Sequence, residues 1–187
     1  MKEFRLSLSL VLCLLFLVFS SSLAFSAEFD ELEVGDTAPD FTLKDLAEKE
    51  HTLSALDGKV AVIQFGSSTT VPYLEEVISM NKVIKQYRKK VAFYTVYTKE
   101  QTYDWQGADY FEKYQRAKGL RFQYGVQSGK RMSSKILVDD VDEAVFKAYG
   151  SVPAGCFIVD ADGNLAYKAK SVKANNVEKA LKKLKIK

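Results

Sequence analysis

Between Phe65 and Tyr73 the chain reads Phe-Gly-Ser-Ser-Thr-Thr-Val-Pro-Tyr, four hydroxyl side chains in succession between a glycine and a proline. They follow the run Val60 to Phe65, which is apolar except for Gln64. A reactive group here would stand at the N-terminus of a helix, where the partial positive charge lowers the pKa of a cysteine. The residues present are Ser67, Ser68, Thr69 and Thr70. A hydroxyl has no comparable ionisation and needs an adjacent base. The single histidine, His51, belongs to an N-terminal hairpin segment, and Glu75 and Glu76 lie beyond the turn along the helix. Thr70 therefore reads as a turn or capping residue. What the turn still offers is a set of backbone N–H groups and hydroxyls able to hold an anion or a polar ligand group.

Cys156 is the second place where chemistry is available. It follows Pro153 by three residues and enters the apolar run Phe157 to Val159. A lone buried cysteine behaves as a small hydrophobe. The alternative is a low-pKa thiol beside the turn, which requires exposure and a positive neighbour. Metal chemistry has little to work with, because one histidine and one cysteine beyond the leader do not close a zinc site. Asp160, Asp162 and Asn164 alternate around Gly163, but the final glutamate of a twelve-residue calcium loop is missing. That stretch reads as a β-turn. Neither a metal nor a cofactor is expected.

The elements that must position these residues alternate between strand and helix. Val60 to Phe65 is a strand buried on both faces. Leu74 to Arg88 places Leu74, Val77, Ile78, Ile84 and Tyr87 on one helical face. Val91 to Tyr97 is a second strand, Tyr110 to Lys118 a short helix, Ile136 to Val138 a short strand and Val141 to Tyr149 a further helix. Phe157 to Val159 pairs with Leu165 to Lys168 across the turn 160–164. Arg121 to Ser134, with Gly125 and Gly129, reads as a surface loop. At the C-terminus Val177, Ala180, Leu181 and Leu184 form the apolar stripe of a lysine-rich helix capped at Asn175 or Asn176. It reads as a solvated helix packed on the sheet, with docking to an acidic surface as the second reading. The pattern predicts an α/β fold, a central mixed sheet with helices on both faces.

The turn resembles those of thioredoxin-like redoxins. Their Phe-Trp-Ala-x-Trp-Cys-x-x-Cys, laid on Phe65, puts the cysteines at Thr70 and Tyr73. It resembles more closely the iodothyronine deiodinase turn, Phe-Gly-Ser-Cys-Thr-Sec-Pro-Pro-Phe, which matches Gly66, Ser67, Thr69 and Pro72 and places Ser68 at the cysteine and Thr70 at the selenocysteine. Ala38 to Leu43 with Leu53 to Lys59 resembles the N-terminal hairpin of peroxiredoxin and redoxin domains. Ala148 to Pro153, followed by Phe157 to Gly163, resembles the segment carrying the cis-proline of the thioredoxin fold. The resemblance spans about residues 34–170. It implies a thioredoxin-like fold with an N-terminal β-hairpin extension and a cis Val152–Pro153 bond facing the turn. It also implies a groove formed by Ser67, Thr69, Val152 and Pro153, in which thioredoxin-like proteins pair backbone with a substrate.

Lys2 and Arg5, an apolar run from Leu6 to Phe19 and small residues from Ser20 to Ser26 have the pattern of a secretory signal peptide. Residues 1–27 are accordingly assigned to the signal and 28–187 to one domain. Cys13 lies in the apolar run, so Cys156 is the one thiol of the expected mature chain and an internal disulfide is excluded. A net charge of +3 is too small to imply nucleic acid, and 47% apolar residues suffice for a packed core. The expectation is an exported protein, periplasmic or secreted, with no transmembrane segment after cleavage. Its redox site is degenerate at Ser68, Thr70 and Tyr73, and the former groove binds a peptide, a protein or a small polar ligand. The alternative is a thiol oxidoreductase that uses Cys156 or a partner's thiol.

Overall fold

The structure, a computed structural model, describes residues 31–100 and 108–186. The expected signal segment lies outside the described residues. Seven strands form one mixed sheet: β1 (Thr42–Asp45), β2 (Glu50–Thr52), β3 (Val60–Gly66), β4 (Val91–Tyr97), β5 (Lys135–Val138), β6 (Cys156–Val159) and β7 (Leu165–Ala169), in the spatial order β2-β1-β5-β4-β3-β6-β7. β3, β4 and β5 run parallel, and β6 joins β3 antiparallel from the other side. The hairpin β1–β2 reaches the sheet by pairing antiparallel with β5.

β3 lies inside the sheet between β4 and β6, and every one of its residues is buried. Its alternate side chains feed two cores. Val60 and Val62 pack with α1 (Val71–Tyr87), α2 (Tyr110–Ser128) and α4 (Ala174–Lys183), while Ala61, Ile63 and Phe65 pack with α3 (Ala144–Ala148) and the N-terminal segment. Helices on both faces of a sheet with parallel centre and antiparallel flanks, extended by an N-terminal hairpin, make a thioredoxin-like fold. No helix among the described residues is long and apolar enough to cross a membrane.

Two local expectations change, and the expected turn at 160–164 is present. The helix expected to stop at Lys118 continues to Ser128, so most of the expected loop 121–134 is helical. Gly119 and Gly125 are tolerated inside it, and it ends where Gly129 adopts a left-handed φ of 61° and returns its N–H to the Gly125 carbonyl. α4 starts at Ala174 with no side-chain cap from Asn175 or Asn176. Instead the Ala174 N–H donates to Glu76 on α1 at 3.1 Å, and Lys173 pairs with the same carboxylate at 3.2 Å. The turn between β6 and β7 is held by Asp160, whose Oδ1 accepts the N–H groups of Asp162 and Asn164.

Candidate functional site

β3 ends at Gly66, and no larger residue fits there. A Cβ on Gly66 would lie 2.4 Å from Cγ of Tyr73, whose ring packs against the backbone. Tyr73 is fully buried. Its hydroxyl meets Thr95 Oγ1 at 3.3 Å, which also accepts Gln64 Nε2 at 3.0 Å and donates to Ser134 Oγ at 3.0 Å. Burial pushes the Tyr73 phenol well above its ordinary value, so this side chain anchors the helix and takes no part in surface proton chemistry.

Between Gly66 and Tyr73 the chain turns on its own hydroxyls. Thr70 occupies the N-cap of α1 with extended backbone, but its side chain points back into the turn. Its Oγ1 accepts the Ser67 N–H at 3.1 Å and shares a hydrogen bond of 2.8 Å with Ser67 Oγ. The Thr69 N–H reaches Ser67 Oγ at 3.4 Å, and the Thr70 N–H reaches the Ser67 carbonyl at 3.3 Å. Pro72 has no N–H, and the Tyr73 N–H closes on the Thr70 carbonyl at 3.1 Å. Most donors expected to face a ligand are thus consumed inside the turn, which leaves the N–H groups of Ser68 and Val71.

The half-buried Ser68 faces outward. Its hydroxyl donates to Oε1 of Glu100, the same oxygen that accepts from the Tyr97 hydroxyl. Arg116 on α2 donates from Nη1 to Glu100 Oε2 at 3.2 Å and pairs through Nη2 with Glu112 at 3.3 Å. Burial, then the Glu100 carboxylate, raise the Tyr97 phenol, so Tyr97 stays a proton donor at neutral pH.

Glu100 is held there from behind. The Lys99 N–H donates to Glu143, which also receives the fully buried ammonium of Lys113 at 3.0 Å; that ammonium donates in addition to the Asp140 carbonyl at 2.8 Å. Asp139 next to it accepts the N–H groups of Asp140, Val145 and Phe146, and its burial raises its pKa against those hydrogen bonds. The segment 98–100 is therefore pinned to α2 and α3 before any ligand arrives.

Among the described residues no hydrogen bond joins Val152 or Pro153 to Ser67–Thr70, and no peptide bond is cis, so the expected cis Val152–Pro153 bond is not present. The reason is local. Gly155 N–H closes on the Val152 carbonyl at 2.9 Å, a four-residue turn with Pro153 in its second position, where a trans proline supplies the φ required. Gly155 then passes its carbonyl to Phe65 N–H at 2.9 Å and hands the chain to β6.

Cys156 sits opposite Gln64 in the β3–β6 ladder and is fully buried. Burial pushes its thiol up to about 12, the reverse of what a reactive cysteine needs.

The structure therefore brings Ser67, Ser68, Thr69, Thr70 and Tyr73 together and adds Glu100, Tyr97 and Arg116, which sequence reasoning does not select. One signal is available. Glu100 is the first acid after the apolar strand β4, at the carboxyl end of a parallel strand beside β3, where open α/β sheets place their ligands. The exposed edge of the site is a serine hydroxyl backed by a carboxylate. Such an edge accepts hydrogen bonds and suits a donor-bearing or cationic group better than an anion.

Comparison with known proteins matches residues 34–168 to the AhpC/TSA family. A thiol-disulfide oxidoreductase, ResA, of Geobacillus thermodenitrificans is 30% identical over 169 residues, covering 88% of this chain and 86% of the relative. Among solved structures, a putative protein disulfide isomerase from Bacteroides thetaiotaomicron superposes with a TM-score of 0.62 at 17% identity, covering 83% of this chain and 90% of that one. A putative thiol:disulfide interchange protein DsbE from Chlorobium tepidum gives 0.60 at 20% identity, covering 82% and 95%. At these identities the two structures speak to the fold.

Proposed function

The chain belongs to the AhpC/TSA family, and on that premise we propose that it is an exported binding or accessory protein that keeps the redoxin frame without its dithiol chemistry. The observation that carries this reading is the hydrogen bond from Ser68 to Glu100, completed by Tyr97 and Arg116. A hydroxyl–carboxylate pair occupies the turn, and Thr70 and Tyr73, which the resemblance to thioredoxin-like redoxins aligns with the cysteine positions, are committed to internal hydrogen bonds. The pair supports recognition of a ligand group rich in hydrogen-bond donors, such as an amine or the N–H edge of an extended peptide. The pattern of residues 2–27 supports export.

The burial of Cys156 weighs against the alternative of a thiol oxidoreductase working through that residue. Insulin reduction and dithiol oxidation assays test the proposal. No turnover above the uncatalysed rate is expected, and Ser68→Ala and Glu100→Gln should weaken capture of peptides in a binding screen without touching redox readouts. Turnover that survives Cys13→Ser and vanishes with Cys156→Ser would make the protein an enzyme and overturn the reading.

A further inference from the structure

The end of the molecule opposite the Ser68 turn carries an open cup of about 530 Å³, lined by Lys85, Arg88, Arg121, Lys130, Arg131 and Lys135 together with Met132, Ser133 and Ser134. Lys85 and Arg88 come from the C-terminal end of α1, Arg121 from the last turns of α2, and Lys135 from the first position of β5. None of the six cations forms an ion pair among the described residues. The lining contains no carboxylate. Asp57, Asp160 and Asp162 line a separate depression at the same end of the sheet, where β3 begins and β6 ends. With a net charge of only +3 over the whole chain, six uncompensated cations around one cavity are a concentrated feature.

Two further observations mark the same end. Phe122 and Val126 on α2 are 74% and 69% exposed, and they line an adjoining hollow with Arg121, Lys130 and Arg131. They are four residues apart, so they share one helical face. α4 packs beside α1, starting at Glu76 and passing Tyr87 near its end. It therefore delivers Lys182, Lys183 and Lys185, all exposed, toward the C-terminal end of α1.

We propose that this end docks on a bilayer surface bearing anionic phosphate headgroups. The cup receives headgroup phosphates, the α4 lysines broaden the electrostatic footprint, and Phe122 and Val126 enter the interfacial layer. A small free anion would use the cup but leave Phe122 and Val126 unexplained. Large apolar side chains set among uncompensated cations are what an interfacial face requires. α1 spans about 25 Å between the cup and the turn at its N-terminus, so docking presents the Ser68 site away from the membrane.

Co-sedimentation of the full chain with phosphatidylcholine vesicles, with and without phosphatidylglycerol, tests it. Binding should rise on the anionic vesicles and fall with added salt. Lys130→Gln with Arg131→Gln should weaken the anionic component about 25-fold, at about fivefold per charge near the surface. Phe122→Ser with Val126→Ser should weaken it several-fold while leaving the salt dependence in place. Residues 1–30 are common to every arm, so their contribution cancels between variants. Should the Lys130 and Arg131 pair prove unstable to urea, Arg121→Gln with Lys135→Gln serves in its place. Equal affinity for both vesicle types, or indifference to the cation substitutions, would refute the proposal. Tight binding of soluble polyphosphate that is unaffected by the Phe122 and Val126 changes, with no gain on anionic vesicles, would refute it in favour of a free polyanion site.

Discussion

The ring of Tyr73 occupies the space where a side chain on Gly66 would begin. A Cβ there would meet the root of the ring, Cγ, at 2.4 Å, with the two carbons beside it at 2.7 and 2.8 Å, so no rotation of a flexible tip relieves the clash. The last residue of β3 and the first turn of α1 are thereby locked together. Gly66→Ala should cost about 1–3 kcal/mol, the range of overpacking in a dense core. Urea unfolding is expected to show a lower midpoint at unchanged slope. Adding Tyr73→Ala should make the two changes strongly non-additive, because removing the ring relieves the strain that the new methyl creates. Additive costs would mean that the contact is not the determinant.

Glu100 collects three donors, so its removal strands more than it deletes. Glu100→Ala should destabilise by about 1–3 kcal/mol, the penalty for leaving buried partners unsatisfied. Ser68→Ala removes a single donor from a half-buried position and should cost less than about 1.5 kcal/mol. Chemical denaturation of the two variants checks the order, and a larger loss for Ser68→Ala would contradict the network.

Cys156 provides a prediction with a pH sign. Burial disfavours the thiolate and moves the group from 9.0 to about 12 in the folded protein. Native protein at about pH 8, below the ordinary thiol range, should react negligibly with a thiol reagent at this residue, in a Cys13→Ser background, and react fully in urea. Because the folded pKa lies above the unfolded one, the stability linked to the neutral thiol is fully present below 9.0 and is lost as pH rises toward about 12. Cys156→Ala should therefore flatten the stability profile in that window relative to the parent. Parallel profiles would show that the thiol does not titrate differently in the folded state.

Glu76 caps α4 from another helix, accepting the Ala174 N–H and pairing with Lys173. Glu76→Ala should cost about 1 kcal/mol, as for loss of an N-cap. Hydrogen exchange should accelerate at the amides of the first turn of α4, from Ala174 to Val177, and remain unchanged in β3. Glu76→Gln, which keeps an acceptor, should lose less.

The sheet is legible in the sequence wherever burial is complete. Val91 to Tyr97 reads correctly to the residue, and Val60 to Phe65 falls one short, because strands covered on both faces are continuous apolar runs. The second half of α2 is not legible. Phe122 and Val126 face outward there, so apolar residues and burial fall out of phase and the periodic signal weakens. At the site, the hydroxyls of the turn can be read from local order. Glu100 lies 32 residues from Ser68 and is fixed by Arg116 a further 16 along, a relationship created by tertiary packing alone. The Val152–Pro153 bond is trans because Ala154 and Gly155 close an ordinary turn behind it, a local signal that outweighs the resemblance that implies cis.

The place of β1 in the sheet has a kinetic meaning. Its neighbours are β2, a few residues away, and β5, whose Leu137 and Val138 pair with Asp45 and Lys44 across more than half the domain. A two-stranded hairpin is marginal by itself in water. The first strands to leave the ribosome therefore have no lasting partner until β5 has been made and brought into register, and closing that long loop carries an entropic cost before it is rewarded. Docking of the hairpin on the sheet is thus set by β5, and the N-terminal hairpin is a part of the molecule that waits for a strand made much later.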